Sequence, residues 1–193
     1  MDGAQRVSHD AEPPAANCAG LASAAPAGHD GAMAIAQHRG ATAPALQVAN
    51  LVLAAVLTGH ELGTLGVLHP VLQRLTYADQ IASEQLVARR LGVAMPPLMT
   101  ATVATGVAAT AALDGRERVL VGTGTAAYAA MLGLTLAGNV PINVLTLRWD
   151  TAVQDEGEWR RLRRRWDRLH ALRTGLDIGG LAALTAASLR IRR

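Results

Sequence analysis

Six residues in the C-terminal third, Trp159, Arg163, Trp166, His170, Arg173 and Asp177, follow one another at intervals of four, three, four, three and four. On an α-helix that spacing puts all six on one stripe. Two indoles, two guanidinium groups, an imidazole and a carboxylate do not make a hydrophobic seam. Such a mixture of groups could form a polar site inside a helix bundle. Arg163 and Trp159 alone fit an interfacial anchor with snorkelling arginines. His170 and Arg173 lie further along, where polar groups must find partners, and there an Arg173–Asp177 pair at i+4 competes with a site.

A second candidate lies in GHELGTLGVLHP, residues 59–70. It continues an uncharged run, residues 46–58, so Glu61 sits about 10 Å inside an apolar segment at ~1.5 Å per residue. A bare carboxylate there is costly and must be protonated, paired or turned to a polar cavity. Asn50, Thr58 and Thr64 share its side of the helix, and its expected partners are Arg173 and His170. A purely structural salt bridge is the competing expectation. His60 points about 100° away, as successive residues on a helix do. Gly59 and Gly63 form a small-xxx-small pair suited to a close helix neighbour. His69, beside Pro70, is expected at the interface rather than in the chemistry. A metal could be held only by distant residues such as Glu61, His69 and His170, and no metal site is assigned.

These residues need a scaffold, and the chain supplies four apolar segments: residues 45–68, 92–113, 119–138 and 171–189. Each approaches the roughly 20 residues that cross a bilayer. The expected fold is all-α, a four-transmembrane-helix bundle over residues 43–193, preceded by a disordered Ala/Pro/Gly-rich tail over 1–42. Pro70 is expected to end the first span and Pro141 to break the helix after the third. Residues 76–90 read as a short helical lead-in, with Gln85 and Arg89 on one face. Asp114-Gly115 reads as a tight turn. The acidic residues 155–158 favour a helix start, and three tryptophans in this connection suit a membrane–water boundary.

Composition agrees. Half the chain is hydrophobic, yet aromatics are 3% and Phe is absent, which suits close-packed membrane helices. Six of the 18 basic residues fall in residues 160–168. Without a nucleic-acid motif, that run beside apolar segments indicates a membrane surface, so no nucleic-acid partner is expected. The side carrying it has more arginine and is expected in the cytoplasm. The expected location is the plasma membrane. The single cysteine excludes an intrachain disulfide.

GHELGTLGVLHP, then SEQ and RR in the lead-in, NVPIN at 139–143, and W-x6-W-x3-H-x2-R from Trp159 to Arg173 together resemble the anthrone oxygenase-like family of small integral membrane proteins. The resemblance covers residues 45–190. It implies oxidation of an anthrone, an aromatic polyketide, to an anthraquinone by O2 without an obvious organic cofactor; haem and copper stay open. Under it, His170 or Glu61 would be the general base, and Arg173 and Asn143 would stabilise the oxyanion. His60, Trp166, Arg163, Gln85 and Arg89 would contact a small lipophilic substrate. Self-association is open. Two other classes compete: a small proton-coupled transporter using Glu61, and a structural membrane subunit whose polar groups only join helices.

Overall fold

The computed structural model describes the backbone of residues 28–190 and the side chains of residues 42–190. Over that range the chain is four long helices joined by short connections. Helix α1 covers residues 28–72: an α-helix over Gly28–Gly63, a π-helical turn over Thr64–Leu68 and a last α turn over His69–Leu72. It takes in residues 28–42, which composition assigned to the tail; the tail's residues 1–27 lie outside the described range. Helix α2 is Tyr77–Ala112. Helix α3 is Gly115–Leu147, interrupted by a π turn over Thr135–Asn139. Helix α4 is Glu156–Arg190. Sequential neighbours pack together and α4 closes back on α1, so the order around the bundle follows the chain.

The prolines do not end helices. Pro70 and Pro141 each stand six residues after a threonine that opens a π turn, Thr64 and Thr135. In each, the residue before the proline donates to that threonine's carbonyl five residues back. A proline ring crowds the carbonyl four residues earlier and brings no N–H. The widened turn accommodates this, and the helices run on to Leu72 and Leu147. The lead-in 76–90 and the second apolar segment likewise form one helix, started by the Thr76 side chain accepting from Asp79 N–H at 3.4 Å. The 114–115 turn is as expected, with Gly115 left-handed at φ 58°.

Burial is inverted relative to a water-soluble bundle. The outer face of α1 exposes Val48, Val52, Val56 and Leu62, while Gln47, Asn50, Thr58, Glu61 and Thr64 are buried. Apolar side chains outward and polar ones inward suit a lipid surround, where backbone groups are satisfied within helices. The stretches Thr42–Leu72, Tyr77–Ala112 and Gly115–Leu147 are long and apolar enough to cross a membrane. The expected fourth span is not among them; it carries Arg173 and Asp177 in the middle of α4. The protein is an integral membrane protein.

Polar groups tie the bundle. The Tyr128 hydroxyl lies 2.7 Å from Thr58 Oγ1 and 3.2 Å from the carbonyls of Ala54 and Asp177, joining α1, α3 and α4. Asn50 donates to the Thr102 carbonyl at 2.7 Å, joining α1 to α2. A close helix approach is not found at Gly59 and Gly63, where a Cβ would meet nothing within 4 Å. One lies between α3 and α4: a Cβ on Gly124 would stand 3.0 Å from the Gly180 carbonyl, and one on Gly180 would stand 2.9 Å from the Tyr128 ring. Gly180→Val is therefore expected to force these helices apart and destabilise by about 1–3 kcal/mol. Gly59→Val should leave thermal unfolding in detergent unchanged.

Candidate functional site: two arginine–glutamate–histidine centres around one cavity

The six-residue stripe of α4 points into the bundle, and all six side chains are buried. The other arginines of residues 160–168 are exposed. Trp159 and Trp166 are buried against neighbouring helices. Trp159 Nε1 donates to Gln80 Oε1 at 3.1 Å, and Trp149 Nε1 to the Tyr77 hydroxyl at 3.0 Å, so these indoles pin the connection to α2.

The first centre joins α1, α3 and α4. Glu61 Oε2 lies 2.7 Å from Arg173 Nη2 and 3.2 Å from His170 Nδ1. Arg173 also donates from Nε to His170 Nδ1 at 3.1 Å and from Nη1 to Thr135 Oγ1 at 2.9 Å. Accepting from a guanidinium requires a lone pair on His170 Nδ1, so its proton is on Nε2, which donates to the Glu61 carbonyl at 3.3 Å. Arg173 thus pairs across the bundle with Glu61, not along its own helix with Asp177. The Thr135 acceptor is the first residue of the α3 π turn, so the deformation that admits Pro141 also places an arginine ligand.

A second centre of the same composition, absent from the sequence expectations, joins α1, α2 and α4. Glu84 Oε1 lies 3.1 Å from Arg163 Nη2. Arg163 Nη2 is also 3.1 Å from His69 Nδ1, and Asp167 Oδ1 is 3.3 Å from that nitrogen. Gln73 donates to Asp167 Oδ2 at 3.1 Å. Burial pulls the Arg163 guanidinium below its ordinary pKa, and Glu84, then Asp167, pull it back up. His69, in the last turn of α1, is 4% exposed and turned into the bundle. Trp166 links the centres: its ring centroid is 4.2 Å from His69 and 4.6 Å from His170, with Arg163 Cζ 4.6 Å above it.

Both centres border one cavity among the four helices. Its wall includes His60, His69, Glu84, Asn143, Arg163, Trp166 and Arg173, with Leu91, Met95, Met99, Leu132 and Leu136 as apolar lining. Exposed lining residues Gly92, Pro96, Leu136 and Val140 mark a mouth between α2 and α3, on the apolar surface. Asn143 Oδ1 accepts from Trp166 Nε1 at 2.8 Å. An indole N–H can only donate, which fixes the amide orientation and leaves the Asn143 N–H groups without a protein acceptor among the described residues.

Of the sequence candidates, Arg173, Asn143, His60, Trp166 and Arg163 line the cavity. Glu61 and His170 stand behind Arg173 and do not. Gln85 serves elsewhere: its amide donates to the carbonyls of Thr146 and Trp149 at 3.2 and 2.9 Å, closing the end of α3. Arg89 is exposed and outside the lining. Among the described residues no three His, Cys, Asp or Glu side chains gather as a metal site, so Glu61, His69 and His170 do not form one.

Comparison with known families matches residues 84–183 to a family model described as anthrone oxygenase. No curated protein and no solved structure matches.

Proposed function

The chain belongs to the anthrone oxygenase family, and on that premise we propose that it oxidises a lipophilic anthrone-type polyketide with O2 inside the bundle, in the plasma membrane. The carrying observation is the cavity: apolar walls, a mouth on the lipid-facing surface, and a cation and an amide donor together at its inner wall. An anthrone's central methylene is acidic because the carbanion left on deprotonation delocalises onto the ring oxygen. Arg173 and the Asn143 amide would stabilise that oxyanion. Three of the five Arg173 N–H bonds are taken by Glu61, His170 and Thr135, which aim the remaining charge. Glu61 and His170 accordingly position Arg173.

The electron-rich carbon then bonds to O2, giving a peroxide that takes up the first methylene proton. Removal of the second methylene proton forms the carbonyl as the O–O bond breaks, and the departing hydroxide leaves as water. The carbon is oxidised, and one O2 becomes the quinone oxygen and one water. A transporter built on Glu61 has less support, because that carboxylate is paired with Arg173 and lies outside the cavity lining.

A side chain at Gly92 enters open space, since a Cβ there meets nothing within 4 Å. Gly92→Leu should narrow the mouth without disturbing the fold. In proteoliposomes supplied with anthrone, wild type should consume one O2 per quinone. The variant should raise KM about tenfold, roughly the worth of one apolar contact, and leave kcat unchanged. Wild-type oxidation no faster than protein-free liposomes would refute the proposed reaction.

A further inference from the structure

The oxidation needs a base, and of the two proposed from sequence, neither Glu61 nor His170 lines the cavity. His170 is also fully engaged, with Nδ1 accepting from Arg173 and Nε2 bonded to the Glu61 carbonyl. We propose that His69, oriented by Asp167, is the general base that shuttles the methylene proton. This rests on the oxidation reading above and assigns its proton-transfer group.

Three observations carry it. His69 lines the cavity while Asp167 lines a separate polar cleft with Gln73, Tyr77, Gln80, Glu156 and Arg160, so the pair connects the reaction space to a wetter region. Around His69 Nδ1 stand Arg163 at 3.1 Å and Asp167 at 3.3 Å from α4, and Glu84 at 3.7 Å from α2. Its Nε2, by contrast, makes no hydrogen bond to protein among the described residues. In the structure Nδ1 accepts from Arg163, which leaves the ring proton on Nε2. Once the proton is on Nδ1 and given to Asp167, Nε2 presents a basic lone pair, the logic by which an aspartate orients a catalytic histidine.

Arg163 and Asp167 compete for the same nitrogen. A guanidinium there favours the proton on Nε2, whereas the carboxylate favours it on Nδ1 and frees Nε2 as the base. Glu84, 3.1 Å from Arg163, holds the guanidinium when Nδ1 is protonated. Gln73 fixes the second oxygen of Asp167 and keeps Oδ1 on the ring. Trp166, stacked 4.2 Å away, fixes the ring plane. In the cycle, Nε2 takes the methylene proton while the C–H electron pair stays on carbon. The imidazolium returns that proton to the peroxide formed with O2. The same nitrogen removes the second methylene proton as the O–O bond breaks and passes it to the departing hydroxide. Asp167 does not change protonation; it positions the base.

The test uses the full-length protein in lipid nanodiscs with anthrone and methylene-deuterated anthrone. His69→Gln should lower kcat at least 100-fold, the scale of a lost general base, with KM and thermal unfolding little changed. Asp167→Asn should lower kcat about tenfold or more and move the acidic limb of the pH profile to lower pH, because the carboxylate no longer favours the protonated ring, and Asp167→Glu should restore much of the rate. In His69→Gly, added imidazole should recover turnover with a primary deuterium isotope effect, whereas non-basic pyrazole should not. Wild-type kcat in His69→Gln, an unaltered pH profile in Asp167→Asn, or no rescue of folded His69→Gly would each overturn the assignment. These results are distinct from failure of the oxidation reading, in which wild type itself consumes no O2 with anthrone.

Discussion

Arg173→Met should reduce anthrone oxidation by about 10²–10³-fold, the scale of removing one oxyanion-stabilising donor. The same change strips Glu61 of its 2.7 Å partner. An unpaired carboxylate with no exposure is costly, and breaking a buried pair from one side typically loses about 3–5 kcal/mol. Activity and stability are therefore confounded in the single variant, and the double variant Arg173→Met/Glu61→Gln separates them. It removes both charges while nearly conserving volume, so thermal unfolding should recover most of the way to wild type. Oxidation should not recover, because the cation facing the cavity is still missing. A double variant that regains turnover together with stability would reduce the first centre to a helix-joining salt bridge.

The second large effect is expected at Glu84. Glu84→Ala leaves Arg163, 5% exposed, with only the partly exposed Asp167 as a carboxylate partner. Burial already pulls the pKa of this guanidinium down and Glu84 is the strongest influence restoring it. Losing Glu84 should destabilise by about 3–5 kcal/mol. Water entering from the cleft beside Asp167 would lessen the loss. The paired change Glu84→Met/Arg163→Met should recover stability, since an apolar pair of similar volume is often no worse than a buried ion pair. Differential scanning fluorimetry of the two variants reads this directly. Equal destabilisation in single and double variants would show that packing, not charge, holds this end of the bundle.

The α4 stripe was legible because helical periodicity is a one-dimensional signal, and six chemically active residues at three- and four-residue intervals have one geometric reading. The link from Glu61 to Arg173 and His170 was legible for an energetic reason: a lone carboxylate in an apolar run must find a cation, and few cations are placed to reach it. The second centre was not. Glu84 sits in a polar segment, residues 76–90, whose many charged and amide groups give no sign of which face meets α4. Gln85, chosen instead, lies one residue and about 100° away, and its amide satisfies the end of α3. His69 does lie near the end of α1, but that its ring turns into the bundle is not visible in the sequence beside Pro70. The π turn that carries α1 past it leaves no obvious sequence signal, although the matched spacing Thr64 to Pro70 and Thr135 to Pro141 is visible once the structure is known. The glycines misled similarly: small-xxx-small spacing shows that an approach is permitted, and only tertiary packing decides that Gly124 and Gly180 have one while Gly59 and Gly63 do not.

If the cavity stabilises a substrate oxyanion through Arg173, the enolate should accumulate when O2 is withheld. The decisive measurement is the absorbance spectrum of anthrone bound to the purified protein under anaerobic conditions, followed by admission of O2. Wild type should show the red-shifted band of the deprotonated substrate, which decays as quinone forms with one O2 consumed per molecule. The folded Arg173→Met/Glu61→Gln protein should show only the neutral ketone. A neutral ketone in wild type, or the same enolate band in the double variant, would contradict an oxidation site built around Arg173.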